Sequence, residues 1–327
     1  MSDRQSGTSS NVRGPDLPGA ALILVAAACF GTLGPLSRFA GDAGVDSLTI
    51  VTWRAGLGAA VVGTLILALH AVGRARLVPF GQLPRRDRWF ILAAAAANTV
   101  LNLAAFIAFE RITIALTLLV FYLYPAGVAL VSVVWLGDRL DRLRWSALGI
   151  SLAGTALVVA GAGDIGAIDG LGIGLAFLAG MMQVFYVLAA RHGFAHVPGP
   201  QAATMTMGGA FGLYLVIALA LGTLPSLAQP LASQAAFWPV VAAGVIGAGV
   251  PTVCYIAGIR RLGPPRAAIL ATFEPVVGVA LAAWLLEEQP APVQLVGGAL
   301  ILVAAVLLQL RPTAPAAEHE AVAGEAT

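Results

Sequence analysis

Lysine is absent from this chain, and charge of any kind is scarce: charged residues make up 10% of its 327 residues, against about 25% in an ordinary soluble domain. With 59% of residues hydrophobic and a mean hydropathy of +0.90, there is too little polar surface to coat a water-soluble body. The sequence is that of a membrane protein, and one helical bundle in lipid can absorb its whole length. Cysteine occurs twice, at Cys29 and Cys254, each inside an apolar segment. That excludes a disulfide framework, and both read as small buried hydrophobes. His70, His192, His196 and His319 fall near loops or the tail without a carboxylate partner at helix-face spacing, so no metal is expected. No Ser/His/Asp set shares one depth, and no polar segment is long enough for a nucleotide-binding domain, which removes a primary pump. The 18 basic residues, all arginine, cluster between apolar segments, so no nucleic-acid partner is expected.

What is present is a succession of apolar runs of about 20 residues, the length a helix needs to cross hydrocarbon. They fall near 18–40, 47–69, 89–109, 113–136, 144–162, 170–190, 203–223, 236–258, 264–286 and 292–310. Between them lie loop signals: Gly41-Asp42, Arg85-Arg86-Asp87-Arg88, Gly161-Ala162-Gly163-Asp164, Pro198-Gly199-Pro200, Gly263-Pro264-Pro265 and Gln289-Pro290. The expected fold is an all-α integral membrane protein with ten transmembrane helices. Residues 1–17, rich in Ser, Gly and Arg, and residues 312–327, rich in Ala and Glu, have little to bury and are expected to be disordered tails. The first apolar run is too long for a signal-peptide core, and more spans follow it. Arginines of the N-terminal tail, the even-numbered loops and the C-terminal end number 15, the opposite side holds two, Arg38 and Arg111, and Arg54 lies within a span. That bias predicts both termini in the cytoplasm.

The chain also matches itself at an offset of 150 over about 50 residues without gaps. Arg111, Pro125, Leu136, Leu152 and Leu157 match Arg261, Pro275, Leu286, Leu302 and Leu307, and Asp138 matches Glu288. Residues 18–162 and 163–311 thus read as two five-span repeats, and five being odd, the second is inverted relative to the first. Secondary transporters use that design, with a substrate site near the bilayer midplane between the halves. Pro125 and Pro275 sit at matching depths and free the carbonyls of Phe121 and Ala271. Such breaks either kink a span for packing or line a site or gate.

Leu123-Tyr124-Pro125 followed by Leu136-Gly137-Asp138-Arg139-Leu140, and Phe273-Glu274-Pro275 followed by Leu285-Leu286-Glu287-Glu288, resemble the paired signatures of the drug/metabolite transporter superfamily, EamA type. The resemblance spans nearly the whole chain, from Phe30-Gly31-Thr32 to the last apolar run. It implies a five-plus-five inverted repeat of ten helices, a plasma-membrane location, no cofactor, and export or exchange of amino acids, related metabolites or drugs. The chain departs from the family pattern at Asp138, where Glu is usual, and at Gln289-Pro290, where Arg-Leu is common, so these positions read as structural helix ends.

Within the spans, two charged residues stand out. Glu274 lies mid-span, where an ionisable group costs about 2.5–3.5 kcal/mol on insertion scales. Burial penalises its charged form and a guanidinium nearby would favour it, so it can handle protons or substrate; a permanent ion pair with Arg54 or a hydrogen bond to the broken helix around Pro275 is the alternative. Arg54 reads either as a cavity group for a substrate carboxylate, to which its planar fork is suited, or as an anchor at the outer rim. Asn98 and Asn102, one turn apart, share a face and either line the cavity or tie helices together. Gln183, Tyr124, Tyr186 and Tyr255, with Tyr122 and Thr252, form a second tier between pathway and packing. The expected function is a secondary active transporter, possessing no catalytic residues, that exports or exchanges small amphipathic metabolites such as amino acids; a membrane-embedded enzyme or lipid-processing protein is the alternative. Expected partners are the bilayer, a small-molecule substrate and protons, with association into a homodimer left open.

Overall fold

The computed structural model describes residues 16–112, 114–138, 140–161, 169–194, 196–285 and 290–309. Expectations for the two tails beyond these bounds, and for Ala162, Gly163, Asp164, Arg139, Leu286, Glu287, Glu288 and Gln289, lie outside the described residues. Ten helices cross the molecule: α1 (Leu17–Asp42), α2 (Ser47–Ala71), α3 (Arg85–Arg111), α4 (Ile114–Phe121 and Tyr124–Val134), α5 (Arg142–Ala160), α6 (Gly170–His192), α7 (Gly199–Ala220), α8 (Gln234–Leu262), α9 (Pro264–Leu285) and α10 (Pro292–Gln309). Among the described residues nine are long and apolar enough to span a membrane, and α10 is shorter. The first helix includes Leu17, which the sequence reading assigned to the tail, because Asp16 caps it: its carboxylate accepts from Gly19 N at 3.0 Å. Asp46, Asp141, Asp169 and Ser233 cap α2, α5, α6 and α8 in the same way, each taking up an amide hydrogen that the first turn leaves unpaired.

Packing follows an inverted two-fold pattern. The most extensive contacts are α5 with α10, α3 with α6, α2 with α7 and α1 with α8. Advancing every helix by five turns the α1–α8 contact into the α6–α3 contact and maps α2–α7 and α5–α10 onto themselves, which is the signature of a five-plus-five inverted repeat. Lipid is as apolar as leucine, so these helices associate through close packing of small residues. At the α5–α10 crossing a Cβ on Gly154 would lie 2.7 Å from the Gly297 carbonyl, and one on Gly297 2.5 Å from the Gly154 carbonyl. The two backbones touch there.

Four spans depart from a continuous α-helix, and proline explains all four. In α4 and α9 the helix divides outright, with turns at Tyr122–Leu123 and Thr272–Phe273. Pro125 and Pro275 each stand second in the new half-helix, where a missing N–H is harmless. In α1 the break comes at Thr32, directly after Gly31, the residue whose carbonyl Pro35 cannot serve. In α8, Pro251 denies a donor to Gly247, and Val245–Gly249 winds into a π-helical segment. That segment also takes up one extra residue: Trp89 and Trp238, before it, are 149 positions apart, whereas Arg111 and Arg261, after it, are 150 apart.

Candidate functional site

Tyrosine and tryptophan both favour membrane interfaces, yet this chain segregates them. Five of the six tryptophans, Trp89, Trp135, Trp145, Trp238 and Trp284, are at least 46% exposed, and Trp53 is half-buried with its Nε1 donating to the Leu227 carbonyl at 2.8 Å, whereas the five tyrosines are all buried, none more than 6% exposed. A buried phenol needs a hydrogen-bond partner; four of the tyrosines interact with groups around the two charged residues, whereas the Tyr186 hydroxyl is buried without a partner.

The first group surrounds Arg54, half-buried on α2. Its Nη1 donates to Asn102 Oδ1 on α3 at 2.8 Å. Asn102 Nδ2 donates in turn to the carbonyl and the side-chain oxygen of Asn98, so Asn98 acts mainly by fixing which way the Asn102 amide points. Tyr214 on α7 closes the group, its hydroxyl bonded to Asn102 and within 3.3 Å of the Thr99 carbonyl. Arg54 Nε remains buried with no hydrogen-bond partner, a costly state for a guanidinium unless something completes it.

The second group surrounds Glu274, the first residue of the second half of α9 and likewise half-buried. A carboxylate there meets the positive end of the half-helix dipole. The Tyr122 hydroxyl, from the turn in α4, hydrogen-bonds the carboxylate, and Arg54 lies within electrostatic range. Tyr124 hydrogen-bonds Tyr255 on α8, and Gln183 Nε2 on α6 donates to the Tyr255 hydroxyl at 3.4 Å. Phe121, Tyr122 and Tyr124 meet in edge-on and tilted contacts at 5.4 to 6.3 Å between ring centroids, and Phe30 of α1 meets Tyr255 edge-on at 6.1 Å. Tyr186 is buried on α6, with its hydroxyl near Thr206 of α7.

Glycines admit the two breaks. A Cβ on Gly180 of α6 would stand 3.2 Å from the Phe121 carbonyl, and one on Gly31 of α1 would stand 2.9 Å from the Glu274 carbonyl. The backbones of the first helix of each repeat therefore press against the broken span of that pseudo-symmetric arrangement. Pro125 and Pro275 act at this point by ending one half-helix and starting the next.

With this geometry in place, the comparisons are specific. The EamA-like transporter family matches residues 17–160 and again 170–310. The chain belongs to that family. No curated protein matches the sequence. A crystal structure of a protein 20% identical in sequence superposes with a TM-score of 0.72, covering 89% of this chain and 96% of that one, which supports the fold. As a member of the EamA-like family the chain is a multi-pass membrane transporter, and both family repeats contribute to the site just described.

The sequence-selected residues thus gather into two neighbouring groups: Arg54 with Asn98 and Asn102, and Glu274 with Tyr124, Tyr255 and Gln183. Tyr186 flanks the second. Tyr214 and Thr99 escaped the sequence reading; the available signal for Tyr214 was its place midway along the apolar run 203–223. Among the described residues no three His, Cys, Asp or Glu side chains converge.

Proposed function

We propose that this EamA-family protein is a secondary active transporter of the plasma membrane, both termini cytoplasmic, that exports or exchanges small amphipathic metabolites such as amino acids and couples their movement to protons at Glu274. The observation that carries this reading is a cation and a carboxylate held in one interior site by separate hydrogen-bonding groups, at the level where α4 and α9 break. Arg54 has one nitrogen committed to Asn102 and a buried Nε uncommitted, an arrangement suited to a substrate carboxylate. The aromatic side chains beside Glu274 suit the other end of an amphipathic molecule: a cationic amine gains from both the carboxylate and the ring faces.

Coupling then follows from competition for Glu274. A substrate amine that pairs with Glu274 requires the charged carboxylate and displaces its proton, while Arg54 holds the substrate carboxylate. Release of substrate lets a proton return to the carboxyl, so proton and substrate occupy one site in turn and move in opposite directions. The arginine distribution supplies the orientation, 15 on the proposed cytoplasmic side against two.

A thermal-shift screen of the purified protein against amino acids and related metabolites tests the substrate class, since a ligand that binds only the folded state raises its apparent stability. Stabilisation by amino acids in the wild type, absent in Arg54→Ala, is the expected result. If no zwitterion stabilises the protein but neutral or purely cationic compounds do, this substrate reading falls.

A further inference from the structure

One structural motif occurs twice, at opposite faces of the molecule. Asp16 caps α1 and also receives Arg261 of α8, with Nη2–Oδ1 at 3.1 Å and Nε at 3.2 to 3.3 Å from the two oxygens. Asp169 caps α6, accepting from Leu171 N at 3.0 Å, and receives Arg111 of α3, Nε–Oδ2 2.6 Å. The arginines are the pair related by the offset of 150. The third residue after each aspartate is a glycine, Gly19 or Gly172. Each glycine packs under the partner helix end: a Cβ on Gly19 would lie 3.1 Å from Arg261 Cβ and from Leu262, and one on Gly172 3.2 Å from Arg111 Cβ and 2.8 Å from Ile112. Leu262 and Ile112 are again 150 apart. The sequences Asp16-Leu17-Pro18-Gly19 and Asp169-Gly170-Leu171-Gly172 therefore form one motif with Arg261-Leu262 and Arg111-Ile112 respectively.

The geometry fits a moving contact. Each motif joins one repeat to the other, Asp16 to Arg261 at the face where the chain enters α1 and Asp169 to Arg111 at the opposite face. The ion pairs are partly exposed, with side-chain accessibilities of 50% and 21% in one and 43% and 33% in the other. Pairs so open to water are weak and break readily. Each glycine lets the capped helix start sit directly against the arginine-bearing helix end, so the ion pair spans the contact at a solvent-exposed point. In a molecule built from inverted repeats, closing the site to one side and opening it to the other exchanges the roles of equivalent contacts.

We propose that the Asp16–Arg261 and Asp169–Arg111 motifs are paired latches, one for each entrance to the central site, that open alternately during transport. The proposal rests on the transporter reading above and adds to it the two contacts that hold the entrances shut.

Hydrogen–deuterium exchange on the purified full-length protein in lipid nanodiscs tests this without a substrate. Asp→Asn substitutions suit it because asparagine caps a helix as well as aspartate while losing the charge. Asp169→Asn is expected to raise exchange severalfold at the end of α3 and the start of α6, and to slow it at the start of α1 and the end of α8. Asp16→Asn should give the mirror image, and Arg111→Gln and Arg261→Gln, which leave the caps alone, should reproduce the respective patterns. Slowing at the distant face is the decisive sign, because it marks a shift of population between two states and not local loosening. Local acceleration with no change opposite, or no acceleration in either variant, overturns the latches and leaves the transporter reading intact. Mirror-image exchange in a protein that moves none of the twenty labelled amino acids into proteoliposomes would instead uphold the latches and remove the proposed substrate.

Discussion

The breaks in α4 and α9 make the most instructive comparison in this molecule. Both end a half-helix one turn before a proline, and both restart at the residue immediately preceding it. At that shared position the first repeat has Tyr124 and the second has Glu274. The same asymmetry recurs between α3 and α8: Asn102, which holds Arg54, corresponds to Thr252 after the π segment in α8. At the paired breaks of α4 and α9 the backbone is symmetric, and the polar side chains placed upon it are not. The first repeat supplies the cation and its amide support, the second the carboxylate, and a ligand with two unlike ends can be oriented between them.

Substitutions at unlike positions should separate these contributions. Glu274→Gln preserves shape and most hydrogen bonding but fixes the side chain neutral; flux driven by a pH gradient should fall to background while ligand-induced stabilisation survives. Arg54→Lys should insert and fold, yet lose about tenfold or more in transport, since an ammonium cannot reproduce the planar fork. Normal transport by this variant would make Arg54 an anchor. Tyr122→Phe removes the hydroxyl bonded to Glu274 and should slow transport severalfold, with Tyr186→Phe, which lies to the side, nearly unchanged; equal effects would argue that the tyrosines serve packing alone. Away from the site, Gly154→Leu should leave the surviving folded protein active but lower its thermal stability, because overpacking a tight contact costs about 1–3 kcal/mol.

The smallest effect concerns pH at the two faces. Hydrogen bonding from Arg111 holds the Asp169 carboxyl below its ordinary value of 3.8, and for Asp16 the hydrogen bonds of Arg261 and Gly19 outweigh the opposing effect of burial. A carboxyl with a lowered folded value stabilises its contact above 3.8 and loses that contribution as pH falls through the lower folded value. Both ion pairs should thus persist unchanged across neutral and mildly acidic pH, as exchange rates at α3 and α6 can check. A pH dependence of transport in that range then belongs to the interior site.

Much of this was legible in the sequence because lipid makes the rules strict. Apolar length located the ten spans to within a few residues, and Arg54 and Glu274 were conspicuous because charge is so costly there. Pro125 and Pro275 marked two of the breaks. Pro35 and Pro251 marked the other two departures, but only the matched pair attracted notice, and a proline alone does not disclose whether a helix will bend, divide or widen into a π turn. The partners of Tyr255 and Asp169 were not legible, since Tyr124, Gln183 and Arg111 lie on other helices far away in sequence. The paired aspartates illustrate this best: either one alone reads as an ordinary cap, and their second role emerges only when Arg111 and Arg261 arrive from the other repeat.

The central claim is that the carboxylate at one of two equivalent breaks ties substrate movement to protons. A pH-sensitive dye sealed inside proteoliposomes measures this directly as an amino acid found to stabilise the protein is added outside. The wild type should move protons on substrate addition, and Glu274→Gln, still binding the same amino acid, should move none. Equal proton movement in the two proteins, or substrate flux in the wild type with no proton movement at all, would contradict the account.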